Sequence, residues 1–271
     1  METHRIDMGQ GPTSSGLTLR ALARYGDRVA FSGHGGELTY AQALDKVARY
    51  QAVYASQGLQ RGQRVALLTS NRADAWLAST AASALGLCST SLHPLGSLDD
   101  HLFALADAAV DYLIVDGDAY GERGGELATH AEALKRTFVV GVGAGGVGNY
   151  GVALDAAADA VGAARAQLTA RPTDQAMLGY TGGTTGKSKG VMRRHASVVA
   201  MTNAVLADFE WPKNITYLSL APISHVGGTK LVPTLLRGGR VHLHHGFDPA
   251  RIVHDIAAER VSVTLLVPTM I

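Results

Sequence analysis

A chain of 271 residues with 46% hydrophobic and 17% charged positions can bury a sizeable core and has the composition of an ordinary globular protein. A formal net charge of +1 with scattered basic residues excludes a nucleic-acid surface, and a single cysteine, Cys88, excludes an internal disulfide. The opening METHRIDMGQGPTSS has no apolar core and is no secretory signal peptide, and no apolar run approaches the ~20 residues of a membrane helix, so a reducing cytoplasm is the expected compartment.

Residues 1–15 read as a flexible leader. Leu17 to Tyr25 predicts a short helix, and Gly35-Gly36 within FSGHGGELTY a hairpin turn. Thr39 and Gln42 supply the T-x-x-Q of a capping box, opening an Ala-rich amphipathic helix that Gly58 ends. From there short apolar strands alternate with longer helices, the pattern of an α/β fold with a largely parallel sheet. RVALLT (64–69) is a strand, Asn71 the N-cap of a helix to Leu85, and GLCSTSL a strand with Cys88 as a small buried residue. Ser97 and Asp100 cap a helix to Ala108. DYLIVD (111–116), a helix over 124–135, and the strand RTFVVGVG follow, then a helix from Val152 to Leu168 and a linker at Ala170-Arg171-Pro172. Gln175 to Tyr180 reads as a strand and Ala196 to Phe209 as a helix. Beyond Trp211-Pro212 a second group begins: TYLSLAP (216–222), a helix over Gly227 to Leu236, RVHLHH (240–245), a helix opened by Asp248 with Pro249 at its first position, and VSVTLLVP (261–268).

The stretch MLGYTGGTTGKSKG (177–190) has the layout of a phosphate cradle. Gly182, Gly183 and Gly186 can take backbone angles closed to other residues, so several N–H groups can turn towards one anion. Thr181, Thr184 and Thr185 add hydroxyl donors. Lys187 and Lys189 add charge, two of only six lysines against eighteen arginines. The indicated ligand is a nucleoside triphosphate; a solvated Gly/Thr-rich turn is the alternative. A Walker loop needs Gly, four residues, then Gly-Lys-Ser/Thr. Gly186-Lys187-Ser188 satisfies its end, but Thr181 stands where its first glycine belongs.

Residues 181–190 resemble the signature of the adenylate-forming superfamily of acyl-CoA synthetases, luciferases and peptide-synthetase adenylation domains, written T-S-G-T-T-G-x-P-K-G. Seven of its nine specified positions match; Gly182 replaces the Ser, losing a hydroxyl, and Ser188 the Pro, loosening the turn before Lys189. Leu38 to Pro94 is similar to the opening of acyl-CoA synthetases, so the resemblance covers nearly the whole chain. It implies the layered αβα large N-terminal domain of such an enzyme, with two stacked, mainly parallel sheets. Residues 61–211 would form a first α/β subdomain carrying the phosphate loop, and 16–60 with 212–271 a second. It implies a chain truncated before the small C-terminal domain, since the Tyr-Gly-x-Thr-Glu segment, the ribose-binding Asp and the C-terminal lysine of the family are absent from these residues.

The implied reaction is that of a bacterial acyl-CoA synthetase: ATP-dependent activation of a small-molecule carboxylic acid, a fatty acid, to acyl-AMP and transfer to coenzyme A, with Mg²⁺ as counter-ion. Thr181, Gly182, Gly183, Thr184, Thr185, Gly186 and Lys189 would bind the phosphates, with Lys189 and Thr184 acting in catalysis. PISHVGG (222–228), at the end of an expected strand, occupies the place of the family's Pro-x-aromatic-His-x-x-Gly segment, so His225 would line the carboxylate end. Ser224 replaces the usual aromatic. A non-catalytic nucleotide-binding module and a P-loop phosphotransferase are the alternative functions.

Two further patterns point elsewhere. Gly141, Gly143 and Gly146 spell the dinucleotide fingerprint, but no helix opens at once and the preceding strand is not the first, so a loop is the better reading. His242 and His244 share a strand face and His245 points away; with no carboxylate close in sequence, a polar strand end is expected rather than a metal site.

Overall fold

The computed structural model describes residues 11–142, 146–181 and 189–270, apart from the side chains of Thr181 and Thr269. Two sheets stack with helices outside and between them. Strands β3 (Arg64–Leu68), β4 (Cys88–Ser91), β5 (Tyr112–Asp116), β6 (Arg136–Val140), β7 (Val152–Ala153), β8 (Gln175–Thr181) and β9 (Lys189–Arg194) form a seven-stranded sheet of order β7-β6-β5-β3-β4-β8-β9. Every pairing in it is parallel except β8 with β9. The second sheet, of order β12-β10-β11-β1-β2, joins β1 (Val29–Gly33) and β2 (Leu38–Thr39) to β10 (Thr216–Ser219), β11 (Arg240–Leu243) and β12 (Val263–Thr264).

Alternation decides which faces are buried. Val65, Leu67, Tyr112, Ile114 and Phe138 point into a middle layer that also receives Phe31, Tyr217, Val241 and Leu243 from the other sheet. The helices of that layer are α1 (Ser14–Arg24), α2 (Tyr40–Ser56), α3 (Ala73–Ala84), α6 (Leu154–Asp159) and α8 (Leu231–Leu236). The opposite face of the seven-stranded sheet, with Ala66, Leu68, Leu113 and Val115, is covered by α4 (Leu98–Asp107) and α5 (Gly117–His130). Leu218 and Leu220 pack on α9 (Pro249–Ala258). The remaining helix, α7 (His195–Asp208), follows β9. No helix of the described residues is long and apolar enough to cross a membrane.

Local chemistry sets the helix starts. Both expected capping boxes form, Thr39 with Gln42 and Ser97 with Asp100, and Asp248 caps α9 ahead of Pro249. Other expectations are corrected. Helix α1 begins at Ser14 with Thr13 as its cap, inside the stretch read as a leader. Helix α5 starts at Gly117 rather than 124, because the Asp116 carboxylate accepts the N–H groups of Asp118 and Ala119. The helix expected over Val152 to Leu168 is only α6. The rest is held in irregular form by tertiary bonds: Gln51 exchanges two hydrogen bonds with the backbone of Gln167, and Thr169 and Ala170 both donate to the Ala84 carbonyl. Of 261–268 only β12 pairs as strand. Residues before His195 form β9, a strand whose six side chains are all exposed and which therefore shows no apolar alternation. Asn71 is no cap; Arg72 takes that position and makes no side-chain cap bond.

Candidate active site

β8, with Ala176 and Leu178 buried, carries the chain to the carboxyl-terminal edge of its sheet, where ligands of open α/β sheets gather. β9 returns it antiparallel. In their register Thr181 faces Lys189 and Tyr180 faces Gly190, so a hairpin closes the 182–188 loop. Gly182, Gly183, Thr184, Thr185, Gly186, Lys187 and Ser188 lie outside the described residues. Thr181 thus ends the outgoing arm and Lys189 begins the returning one. The Tyr180 hydroxyl donates to Asp107 Oδ2 at 2.6 Å, tying the outgoing arm to α4; burial, then this bond, raises the phenol's pKa.

His225 sits past the end of β10, as the residue before a 3-10 turn (Val226–Lys230). The segment carrying it is tightly fixed. Tyr217 Oη donates to the Gly227 carbonyl at 2.8 Å, and a Cβ on Gly227 or Gly228 would run into the carbonyl of Ala221 or Ile223. Asn71, just past β3, bonds to Ser219, Ala221 and Ile223, while Ser91 Oγ donates to the Ser224 carbonyl at 2.8 Å from the end of β4. The imidazole of His225 has Ser224 Oγ 2.9 Å from its Nδ1 and the ring of His93 5.9 Å away at 75°. Partial desolvation first, and His93 second, lower its pKa below the ordinary 6.5, so it is neutral at pH 7.

Strand β4 relates the two parts: it pairs with β8, and the chain leaving it delivers His93 to His225. Between them a cavity of about 140 Å³ is lined by Thr69, Trp76, Ser91, Met177, Ile223 and Ser224, among others. The structure therefore sets His225 beside the end of β4, one strand from β8, the arm that leads to residues 182–188. His93 and Ser91 were not singled out from the sequence; a His-Pro pair directly after an apolar strand is the signal that marks this place.

Gly143 lies outside the described residues; Gly141 directs its N–H to Asp155 Oδ2 at 3.1 Å, and the next α-helix among the described residues is α6, after β7. His242 and His244 do have a carboxylate, Asp255 of α9, with Oδ2 at 3.8 and 3.4 Å from their Nε2 atoms, and both rings are buried rather than at a polar strand end. Among the described residues no group of three or more His, Cys, Asp or Glu is placed to hold a metal ion.

Comparison with known proteins agrees with this arrangement. The family model described as AMP-binding enzyme matches residues 19–271. A medium/long-chain-fatty-acid–CoA ligase of Mycobacterium tuberculosis is 35% identical over 267 residues, covering 97% of this chain and 46% of that protein. A feruloyl-CoA synthase of Amycolatopsis sp is 31% identical, over 92% of this chain and 47% of that one. The chain thus spans about half the length of the curated relatives it matches. Among solved structures, a long-chain-fatty-acid CoA ligase assignment from Rhodopseudomonas palustris superposes with a TM-score of 0.83 at 20% identity, covering 97% of this chain and 65% of that one. The o-succinylbenzoate CoA synthetase of Bacillus subtilis, in complex with its acyl-adenylate intermediate, gives 0.78 at 21%, covering 96% and 63%. With two stacked, mainly parallel sheets and a family match across residues 19–271, the chain belongs to the AMP-binding enzyme family.

Proposed function

We propose that the protein to which this chain contributes activates a carboxylic acid, a fatty acid, with ATP and passes the acyl group to coenzyme A in the cytoplasm. The observation that carries this reading is the β8–β9 register, which brings Thr181 and Lys189, the flanks of the 182–188 stretch of TGGTTGKSKG, opposite one another, with the His225 segment set beside the adjoining strand β4. The acid's carboxylate oxygen attacks the α-phosphorus of ATP and pyrophosphate leaves; the thiol of coenzyme A then attacks the acyl carbon and AMP leaves. Each step moves negative charge, so the proteins' task is to position and stabilise it. Thr181, Gly182, Gly183, Thr184, Thr185, Gly186 and Lys189 would hold the triphosphate, with Lys189 and the Thr184 hydroxyl meeting the charge that builds on departing pyrophosphate. His225 would meet the acid: a neutral imidazole offers one N–H without a full ion pair that would quench the carboxylate as nucleophile. Mg²⁺ enters as the triphosphate's counter-ion; no cluster among the described residues is assigned to it.

The relatives support the acid class. The 35% identical protein acts on medium and long-chain fatty acids by name, and the 31% identical one makes feruloyl-CoA. The test is ATP–pyrophosphate exchange on the product of the full reading frame with fatty acids of graded length and with aryl acids such as ferulate. Exchange that depends on a fatty acid is expected. Exchange driven only by aryl acids would remove the fatty-acid assignment, and none with any acid would remove the activation reading.

A further inference from the structure

Asn71 stands one residue before the Arg72 cap of α3, and its side chain turns towards the other sheet. Nδ2 donates to the Ser219 carbonyl at 3.2 Å and to the Ala221 carbonyl at 3.3 Å, while Oδ1 accepts the Ile223 N–H at 2.9 Å. All three bonds are buried, and the partners lie 148 to 152 positions along the chain. A carboxamide has two donors and an acceptor on one planar head, and this one uses both sides at once. Its three partners lead directly into His225. Each of its bonds goes to the backbone ahead of His225, so it acts on that histidine through the backbone it holds.

We propose that Asn71 is a positioning residue for the acid-binding half of the site: it sets the height of the His225 segment against the sheet that carries the phosphate loop. This rests on the acid-activating reading above. Ser219 ends β10 of the five-stranded sheet, whereas Asn71 follows β3 of the seven-stranded one, so these bonds fix the register of the two sheets at the edge where their loops converge. The stretch proposed to hold the phosphates is flanked by β8 and β9, whose described residues make none of these bonds. Loss of the amide therefore displaces the acid side and leaves the triphosphate side in place. Ser91 holds the same segment by a single bond to Ser224, which orders the two anchors: three bonds at Asn71, one at Ser91.

The experiment compares Asn71→Ala and Asn71→Asp with Leu127→Ala in the product of the full reading frame. Leu127 is buried on the outer face of the seven-stranded sheet, so its truncation destabilises without touching the His225 segment. Three readings are taken: KM for the acid and KM for ATP in pyrophosphate exchange, thermal unfolding, and the histidine NMR titration, with the His225 resonance assigned by its loss in His225→Gln. For Asn71→Ala we expect acid KM to rise about tenfold or more, since a displacement near 1 Å at a reacting centre costs up to ~100-fold, with ATP KM held within about twofold. The His225 titration should move up towards the ordinary 6.5 as the segment loosens. Asn71→Asp keeps the shape and the acceptor but faces two carbonyls with a carboxylate, so it should fail in the same direction, and it carries the comparison if the alanine variant does not fold. A loss of rate that merely follows the folded fraction, as in Leu127→Ala, with both KM values and the His225 titration unmoved, overturns the proposal. If the unmodified protein shows no exchange with any acid, the function falls instead, and the His225 titration alone decides the positioning claim.

Discussion

Lys187 and Lys189 stand two positions apart, and the readings of their loop assign them opposite weights. In a Walker loop the lysine directly after Gly186 reaches the phosphates; in the adenylate-forming pattern that position is variable and Lys189 is the one aimed at pyrophosphate. Removing one charged hydrogen bond costs ~1.5 to 3 kcal/mol, and rate falls tenfold per ~1.4 kcal/mol. Lys189→Ala should therefore slow ATP–pyrophosphate exchange roughly ten- to a hundredfold and Lys187→Ala less than about threefold, and the reverse order would exclude the family's phosphate chemistry. A different residue controls acid stability. His195 is fully buried; its Nδ1 lies 2.8 Å from Ser14 Oγ, and its Nε2 has no hydrogen-bond partner among the described residues. Burial lowers its pKa from 6.5 to about 4, against a smaller opposing pull from Asp174. Above 6.5 the ring is neutral folded or unfolded and adds no pH dependence. As pH falls from 6.5 towards 4 only the unfolded chain takes up the proton, so stability is lost across that window, by roughly 3 kcal/mol at its lower end. Urea midpoints measured between pH 7.5 and 4.5 should show this decline, and His195→Gln should remove that share of the slope.

At the scale of elements, contacts between the chain's beginning and its end hold the middle layer together. Tyr40 opens α2 and is fully buried, and its hydroxyl reaches the carbonyls of Leu235 at 3.2 Å and Gly239 at 2.6 Å, at the far end of α8. Tyr40→Phe keeps the packing and takes the hydroxyl donor from the buried Gly239 carbonyl, whereas the Leu235 carbonyl keeps the N–H of Gly238, so urea unfolding should register a loss of ~1 to 3 kcal/mol with an unchanged denaturant slope. An unchanged midpoint would mean that water replaces the bond. How much of this was legible in the sequence depended on whether the cause was local. Thr39 with Gln42, Ser97 with Asp100 and Asp248 with Pro249 act within four residues, and each marked its helix correctly. Gln51 clamping Gln167, or Asn71 reaching Ile223, acts across more than a hundred positions and leaves no periodicity to read. β9 was missed for a third reason: a strand with both faces exposed lacks the alternation by which strands are recognised. Thr181, Lys189 and His225 are candidates that rest on their order in the chain, whereas His93 and Ser91 became visible only once β4 was seated beside β8.

For the whole molecule, the family resemblance assigns adenine, ribose and the lysine facing the α-phosphate to segments that these 271 residues do not contain. The chain by itself should then release pyrophosphate and form thioester only at background with a panel of fatty acids, and robust turnover by it would contradict the proposed division of labour. The strand order has a consequence of another kind. In the five-stranded sheet Phe31 of β1 pairs with Val241 of β11, 241 − 31 = 210 residues later, while the seven-stranded sheet has all its strands by Arg194. At ~5 to 20 residues per second a ribosome needs roughly 10 to 40 s to supply that partner. Throughout that interval VAFSG emerges as an apolar strand with an unpaired edge, while the sheet encoded after it can already close. β1 is thus made long before its partner β11 and seated late, and through that interval it is a segment for a chaperone to cover.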